Sequence, residues 1–340
     1  MKNNSSNIWK KLISPKTLFA FAISILGLYL GFRKFDSTEF LSYLRLTNLW
    51  IFGLSMAVMV FLIGIRGWRW KYLILPINDL PVKQVFEMEM IGYFGNHVFP
   101  FRMGEILRGY ALSKTQNIPV SAVFGTIVLE RTLDVLTFII VLISGAIFFP
   151  GMPNEVRIGG LIGGIAVLIL FILVYISNLK KVALKRFFKQ KMLKIKNLDD
   201  SKIGKTVKNF WQGLTTLRET PHLGLIIFQS FLIWAVNIGN FWLMGASLQV
   251  YFDLFDLLLV FFVTSAIISV PSAPGYVGTY HAATIGILVF LGLELSKAQA
   301  VAVIMHAVGF ISLTTLGLFY FLKYQLNFKS TVEVYVEKGA

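Results

Sequence analysis

Gly95-Asn-His-Val-Phe-Pro-Phe-Arg-Met-Gly-Glu-Ile-Leu-Arg108 decides how this chain is read, together with a second stretch, Pro271-Ser-Ala-Pro-Gly-Tyr-Val-Gly278. Both carry Gly and Pro inside strongly apolar surroundings. Pro removes a backbone donor and Gly permits dihedrals closed to other residues, so each stretch breaks a helix. At membrane depth a broken helix is tolerated only where protein or a watery cavity covers its bare peptide groups. One such break in each half of a membrane chain points to the substrate site of a transporter.

The surroundings establish the membrane. The chain has 340 residues, 56% of them hydrophobic and 14% charged, against about a quarter charged in an ordinary soluble domain. Runs 46–65, 158–179, 220–252 and 298–322 contain no Asp, Glu, Lys or Arg, and 17–32 is shorter but alike. A helix of about 20 apolar residues crosses a bilayer. The fold predicted is an all-α integral membrane protein of about six full spans.

The net charge of +15 suggests nucleic acid at first sight. Its distribution argues otherwise: residues 178–219 alone hold 12 Lys and Arg against three acids, as expected of a cytoplasmic loop. Apolar residues among those cations, such as Leu184, Phe187, Phe188 and Leu193, also suit a surface-lying helix that meets anionic lipid. No nucleic-acid partner is expected. The chain has no Cys, which excludes disulfide and thiol chemistry.

Orientation follows from the same bias. Residues 1–16 carry four Lys and no acid, which predicts a cytoplasmic N-terminus and a retained first helix in the cytoplasmic membrane. Segment 36–47 lies outside, and a second helix, about 49–65, returns to an aromatic and basic boundary at 66–71. Segments 82–96 and about 103–113 form a re-entrant hairpin around the first break. Helix 121–149 runs outward and 157–177 comes back to the basic loop. Helix 222–248 leaves again. Residues 257–293 are 37 residues free of charge; a hairpin from outside, folded at the second break, fits them, and two full crossings would have the same parity. Segment 298–322 ends at a cytoplasmic tail, 323–340. One hairpin from each side is the arrangement an inverted repeat produces. The chain thus divides into residues 1–16, a transmembrane domain 17–322 with its basic loop 178–219, and the tail.

Arg102, Glu105, Arg108, Glu130, Arg131 and Asp134 place three cations and three carboxylates near or within the membrane. An isolated charge in hydrocarbon costs at least ~2.5 kcal/mol, which makes each a functional candidate. Arg102, Glu105 and Arg108 stand three apart and near one helix face, and Glu130 and Asp134 stand four apart. Two carboxylates so placed repel unless cations intervene, and Arg102 and Arg108 are the natural candidates, with Arg131 partly to one side. Guanidinium groups match phosphate oxygens in bidentate fashion. The alternative role is a buried salt-bridge network that fixes helix packing. Pro100 and Gly104 shape the first break. At the second, Pro271 and Pro274 free backbone carbonyls and Gly275 and Gly278 allow close approach; His281 reads either as a group that titrates near neutral pH or as a packed, hydrogen-bonded histidine. His306, inside the last span, reads as a packing residue. The four His are scattered, no metal-binding spacing or nucleotide-binding loop occurs, and no metal, cofactor or catalytic residue is expected.

At these residues the chain resembles the flippase-like transmembrane domain of lysyl-phosphatidylglycerol synthases, a family also found as stand-alone membrane proteins. Pro100-Phe-Arg-Met-Gly-Glu-Ile-Leu-Arg108, Glu130-Arg-Thr-Leu-Asp134 and Pro271-Ser-Ala-Pro-Gly-Tyr-Val-Gly278 carry the likeness, in order, over about residues 18–322. The resemblance implies a polytopic domain with re-entrant helices that moves lipids between leaflets. Relatives are associated with aminoacylated lipids and with polyprenyl-linked sugars. Two-domain relatives attach an amino acid to phosphatidylglycerol in a separate soluble domain; 340 residues leave no room for it, so that transfer is not expected. Many relatives are expected to carry a Glu soon after the Gly-rich block, where this chain has His281.

The expected function is therefore translocation of a phospholipid or polyprenyl-phosphate lipid, with a phosphate-bearing headgroup as ligand. Two alternatives stay open: a membrane subunit of a lipid- or glycan-modifying enzyme, and a scaffold that recruits a soluble synthase through 178–219.

Overall fold

The computed structural model describes residues 15–99, 103–148, 220–268, 270 and 272–326, with scattered positions between 154 and 217. Residues 1–14 and the tail from 327 fall outside the described residues, as do most of the expected span 157–177 and of the basic loop 178–219. Among the described residues all regular structure is helical. In hydrocarbon a helix satisfies its own peptide groups, which is why these apolar runs take that form.

Helix α1 spans Pro15–Phe32. An 87° bend follows, and α2 spans Ser37–Arg45. Asp36 starts α2 by accepting from the amides of Thr38 and Glu39 at 2.8 and 3.0 Å, with Glu39 in its first turn and Arg45 in its last, each favourable to the helix dipole. Helix α3 spans Leu49–Ile74, opened by the Asn48 side chain, which accepts from Trp50 and Ile51. Helices α4, Val82–Val98, and α5, Gly104–Gln116, flank the first break. Helix α6 spans Val120–Phe148 and α7 spans Leu223–Ala246. Helices α8, Leu254–Ile268, and α9, Thr279–Phe290, flank the second break, which contains a 3-10 turn at Pro274–Tyr276. Helix α10 spans Leu295–Lys323.

Among the described residues, α3, α7 and α10 are long and apolar enough to cross a membrane, and the bent pair α1–α2 adds one more if it counts as a single span. Helix α6 has the length, 29 residues, but carries Glu130, Arg131 and Asp134. The arms of both hairpins are short. At ~1.5 Å per residue, the 17 and 13 residues of α4 and α5 and the 15 and 12 of α8 and α9 fall below the ~30 Å of a hydrocarbon core.

One sequence expectation is corrected. The second span was expected to end near residue 65, with 66–71 at the membrane boundary. Helix α3 instead continues to Ile74, and Arg66, Arg69 and Trp70 are buried. At this end of α3 the Trp70 ring meets the Arg108 guanidinium of α5 at 4.6 Å and Gly67 lies against the backbone of Phe86 on α4, so the helix meets protein there.

The chain forms two compact units. The larger comprises Met1–Lys71, Leu80–Gln116 and Leu232–Ala340; the other comprises Tyr72–Asp79 and Asn117–Phe231. Helix α10 is the axis of the larger unit, where it packs against α4, α9 and α2, while α9 also packs on α8 and α1. Its buried face is built of small residues, Ala298, Ala300, Ala302 and Gly317, along with Val301, Met305 and Val308. Lipid tails are as apolar as Leu, so helices in a membrane associate through close contact of small residues rather than through hydrophobic burial. In the second unit, α6 crosses a helical segment at Gly125 and Gly213. A Cβ on Gly213 would stand 2.1 Å from the Ala122 carbonyl oxygen.

Candidate functional site

The first break is closed by backbone contact. The Gly104 amide donates to Asn96 Oδ1 at 2.9 Å, which joins the start of α5 to the end of α4. Gly104 lies so close to α4 that a Cβ there would stand 1.7 Å from the Gly92 carbonyl oxygen. Phe99 has extended backbone and ends α4, its amide still bonded to the Gly95 carbonyl at 2.9 Å. Pro100 and Arg102 lie outside the described residues. Glu105 is half-buried in the first turn of α5, where a carboxylate suits the helix dipole. One turn on, Arg108 is buried and bonds through Nη1 to Glu89 Oε1 of α4. Its guanidinium lies 4.6 Å from the Trp70 ring centroid, so it is paired on one side and stacked on the other.

The second break is held by α1. The Ala273 amide donates to Ser24 Oγ at 2.8 Å. Gly278 has φ 93°, and a Cβ there would stand 2.0 Å from the Ser24 carbonyl oxygen, so only glycine fits. Gly275 and Tyr276 both take left-handed dihedrals, φ 67° and 60°. For Tyr276 that conformation carries strain, a property that clusters at functional segments. Pro274 opens the turn, and Pro271 lies outside the described residues.

Both breaks dock on one stripe of α10. His306, Phe310 and Thr314 are four residues apart and share a face. His306 Nε2–H donates to the Gly275 carbonyl at 2.7 Å. His97, at the end of α4, bonds through Nδ1 to Thr314 Oγ1 at 2.7 Å. The Phe310 ring stacks on His97 at 5.1 Å and on His306 at 5.6 Å, and His97 meets Tyr276 edge-on at 6.4 Å. His281 lies 4.7 Å from His306, ring to ring, and Tyr280 lies 5.2 Å from it. Three of the four histidines in the chain are therefore gathered where the two breaks meet.

The remaining sequence candidates lie in the second unit, on α6. Arg131 bonds to Glu130 Oε1 through Nη2 at 2.8 Å and reaches Asp134 Oδ2 through Nη1 at 3.2 Å. Glu130 is fully buried. The repulsion expected between the two carboxylates is thus relieved from within α6, by the cation between them in sequence.

Four site residues were not singled out as such from the sequence. Glu89 is the buried partner of Arg108. Glu87 accepts from Lys323 Nζ at 2.8 Å and from Tyr324 Oη at 2.5 Å, tying α4 to the end of α10; burial and then this bond push the Tyr324 phenol well above its usual range. The signal was present, since two carboxylates in an otherwise apolar helix require partners. His97 and His306 are the other two. Their partners lie 217 and 31 residues away, and no local pattern reports that. Among the described residues no group of His and carboxylates is arranged to hold a metal ion.

The fold and site define an all-α, multi-pass membrane protein built around two broken helical hairpins. The model of the lysylphosphatidylglycerol synthase transmembrane region matches residues 17–317, and the chain belongs to that family. Two UPF0104 membrane proteins of Methanocaldococcus jannaschii are each 26% identical to it, one over 69% of this chain and 95% of the relative, the other over 88% and 90%. A UPF0104 membrane protein of Methanothermobacter thermautotrophicus is 22% identical over 89% of this chain and 92% of its own length. No solved structure matches the chain.

Proposed function

We propose that this protein translocates a phospholipid or polyprenyl-phosphate lipid across the cytoplasmic membrane, with both termini on the cytoplasmic side. The observation that carries the reading is the docking of two broken hairpins on one stripe of α10. Broken backbone inside a membrane protein serves a polar passage or site. In the larger unit Arg102 and Arg108 bind a phosphate region, with Glu105 beside them; in the second unit Arg131, oriented by Glu130 and Asp134, is a separate candidate for the same chemistry. Arg108 would exchange Glu89 for a phosphate oxygen, and the stacked Trp70 would hold its guanidinium plane as it does so. The basic loop 178–219 adds affinity for anionic lipid.

Translocation in proteoliposomes tests this. Labelled phosphatidylglycerol, aminoacyl-phosphatidylglycerol and a polyprenyl-phosphate sugar are compared. Protein-dependent movement of one class, lost in Arg102→Ala and Glu130→Ala variants that still fold, is the expected result. Movement that survives both substitutions would remove these residues from the site, and no movement of any lipid by folded protein would end the reading.

The family description, which refers to a synthase, favours a second reading: the membrane subunit of a lipid-modifying enzyme served by a soluble synthase partner. Lipid modification that depends on an added acyl or sugar donor, without translocation, would favour it.

A further inference from the structure

The histidine cluster is unused by the reading above. His306 is its centre, and the hydrogen bond fixes its tautomer: a carbonyl only accepts, so Nε2 carries the proton and, in the neutral ring, Nδ1 holds a free electron pair. His281 lies against the same ring at 4.7 Å, and His97 stacks on Phe310, whose ring also stacks on His306. The described titratable groups facing the cluster come from each packed element: His97 from α4, Tyr276 from the second break, and Tyr280 and His281 from α9. Helix α1 presents Phe32 to His281. On α10 itself the nearest charged side chains are Lys297 and Lys323, far along the helix in either direction.

Imidazoles this close do not all hold protons at once, because like charges at short range in an apolar setting disfavour one another. Nor is the charge local in effect. His306 holds the Gly275 carbonyl of the second break, and Phe310 passes its ring contact to His97 at the end of the first.

We infer that His97, His281 and His306 form a single proton-binding site, centred on His306, whose charge sets whether both breaks stay docked on α10. The ligand is a proton delivered from water. An N–H bond forms on an imidazole electron pair as an O–H bond of hydronium breaks, and nothing is oxidised or reduced. As the mechanism by which a pH difference would drive or gate movement, the inference rests on the translocation reading; as a proton site it stands apart.

The test reads the protein first and transport second. Full-length protein with isotope-labelled histidine is placed in lipid nanodiscs and its imidazoles are titrated by NMR. Replacing His306 by Gln keeps a donor for the Gly275 carbonyl and removes the titrating ring. It should move the titration midpoints of His281 and His97 by about one pH unit, the scale at which sites titrate as a pair. A His281→Gln variant, read on His306, gives the reciprocal shift if the first variant fails to fold. Midpoints that stay put in both variants overturn the inference. In proteoliposomes the wild-type rate should change several-fold between about pH 3.5 and 6.5, and the His306→Gln rate should be flat. Lipid movement with immobile midpoints sinks the proton site alone, whereas coupled midpoints with no lipid movement sink the translocation reading alone.

Discussion

Arg108 shows what a buried charge requires. Its partner Glu89 and the Trp70 ring together replace water, and removing one partner strands the other. Glu89→Ala should therefore destabilise the protein by about 3–5 kcal/mol. The double variant Glu89→Ala with Arg108→Ala should cost clearly less than the sum of the singles. Thermal unfolding in detergent, run as a double-mutant cycle, checks this; additive costs would mean that the pair does not interact. Arg108→Lys keeps the charge but loses the flat guanidinium on Trp70, so it should fall between wild type and Ala. Gly104→Ala is a second test at this scale. Its Cβ would meet the Gly92 carbonyl at 1.7 Å, and overpacking of that kind costs about 1–3 kcal/mol or more. A variant as stable as wild type would show that the hairpin is not closed this tightly.

Among the elements, α2 makes a contact that titrates. Tyr43 donates to the Glu294 carboxylate, and Ser296 donates to Glu39 at 2.8 Å, so α2 is held over the start of α10. The bond to Glu294, followed by burial, raises the Tyr43 phenol. A raised acid favours its neutral form in the folded state. The contact is thus complete at neutral pH and is lost as pH climbs past the ordinary phenol value of about 10. Spin labels on Leu41 and Leu293 should separate above that pH in the wild type, whereas in Tyr43→Phe the distance should not depend on pH there. In the second unit, Gly213→Val would drive its side chain into the Ala122 carbonyl and should lower the melting temperature while leaving the Arg108–Glu89 cycle unchanged.

Across the whole molecule, α10 is the shared wall of both hairpins, and Phe310 is its hinge of contact. Phe310→Ala should cost about 2 kcal/mol or more and should raise hydrogen exchange at both breaks together; a change confined to one would separate them. Much of this architecture is legible in the sequence, because uncharged runs define spans and Pro-Gly clusters define breaks. The path of α3 past residue 65 is not, because Arg66, Arg69 and Trp70 look like a membrane boundary, whereas the fold buries all three. The histidine cluster is not legible either. Its members lie on α4, α9 and α10, and only the long-range docking of the two breaks makes them neighbours. The motif residues themselves were found by type and spacing, while their partners, Glu89 above all, required the fold.

The near-contact of Gly104 with the Gly92 carbonyl has a chemical consequence. Where a Cβ would collide, a glycine has a hydrogen, and that hydrogen points at the oxygen: a Cα–H···O=C bond, worth roughly 0.5–1 kcal/mol. The two arms of the first hairpin are thus stitched backbone to backbone, through atoms that no substitution elsewhere alters. A carbon-13, oxygen-18 label on the Gly92 carbonyl should show its infrared stretch displaced from that of the other helical carbonyls, and the displacement should vanish when α4 and α5 are prised apart.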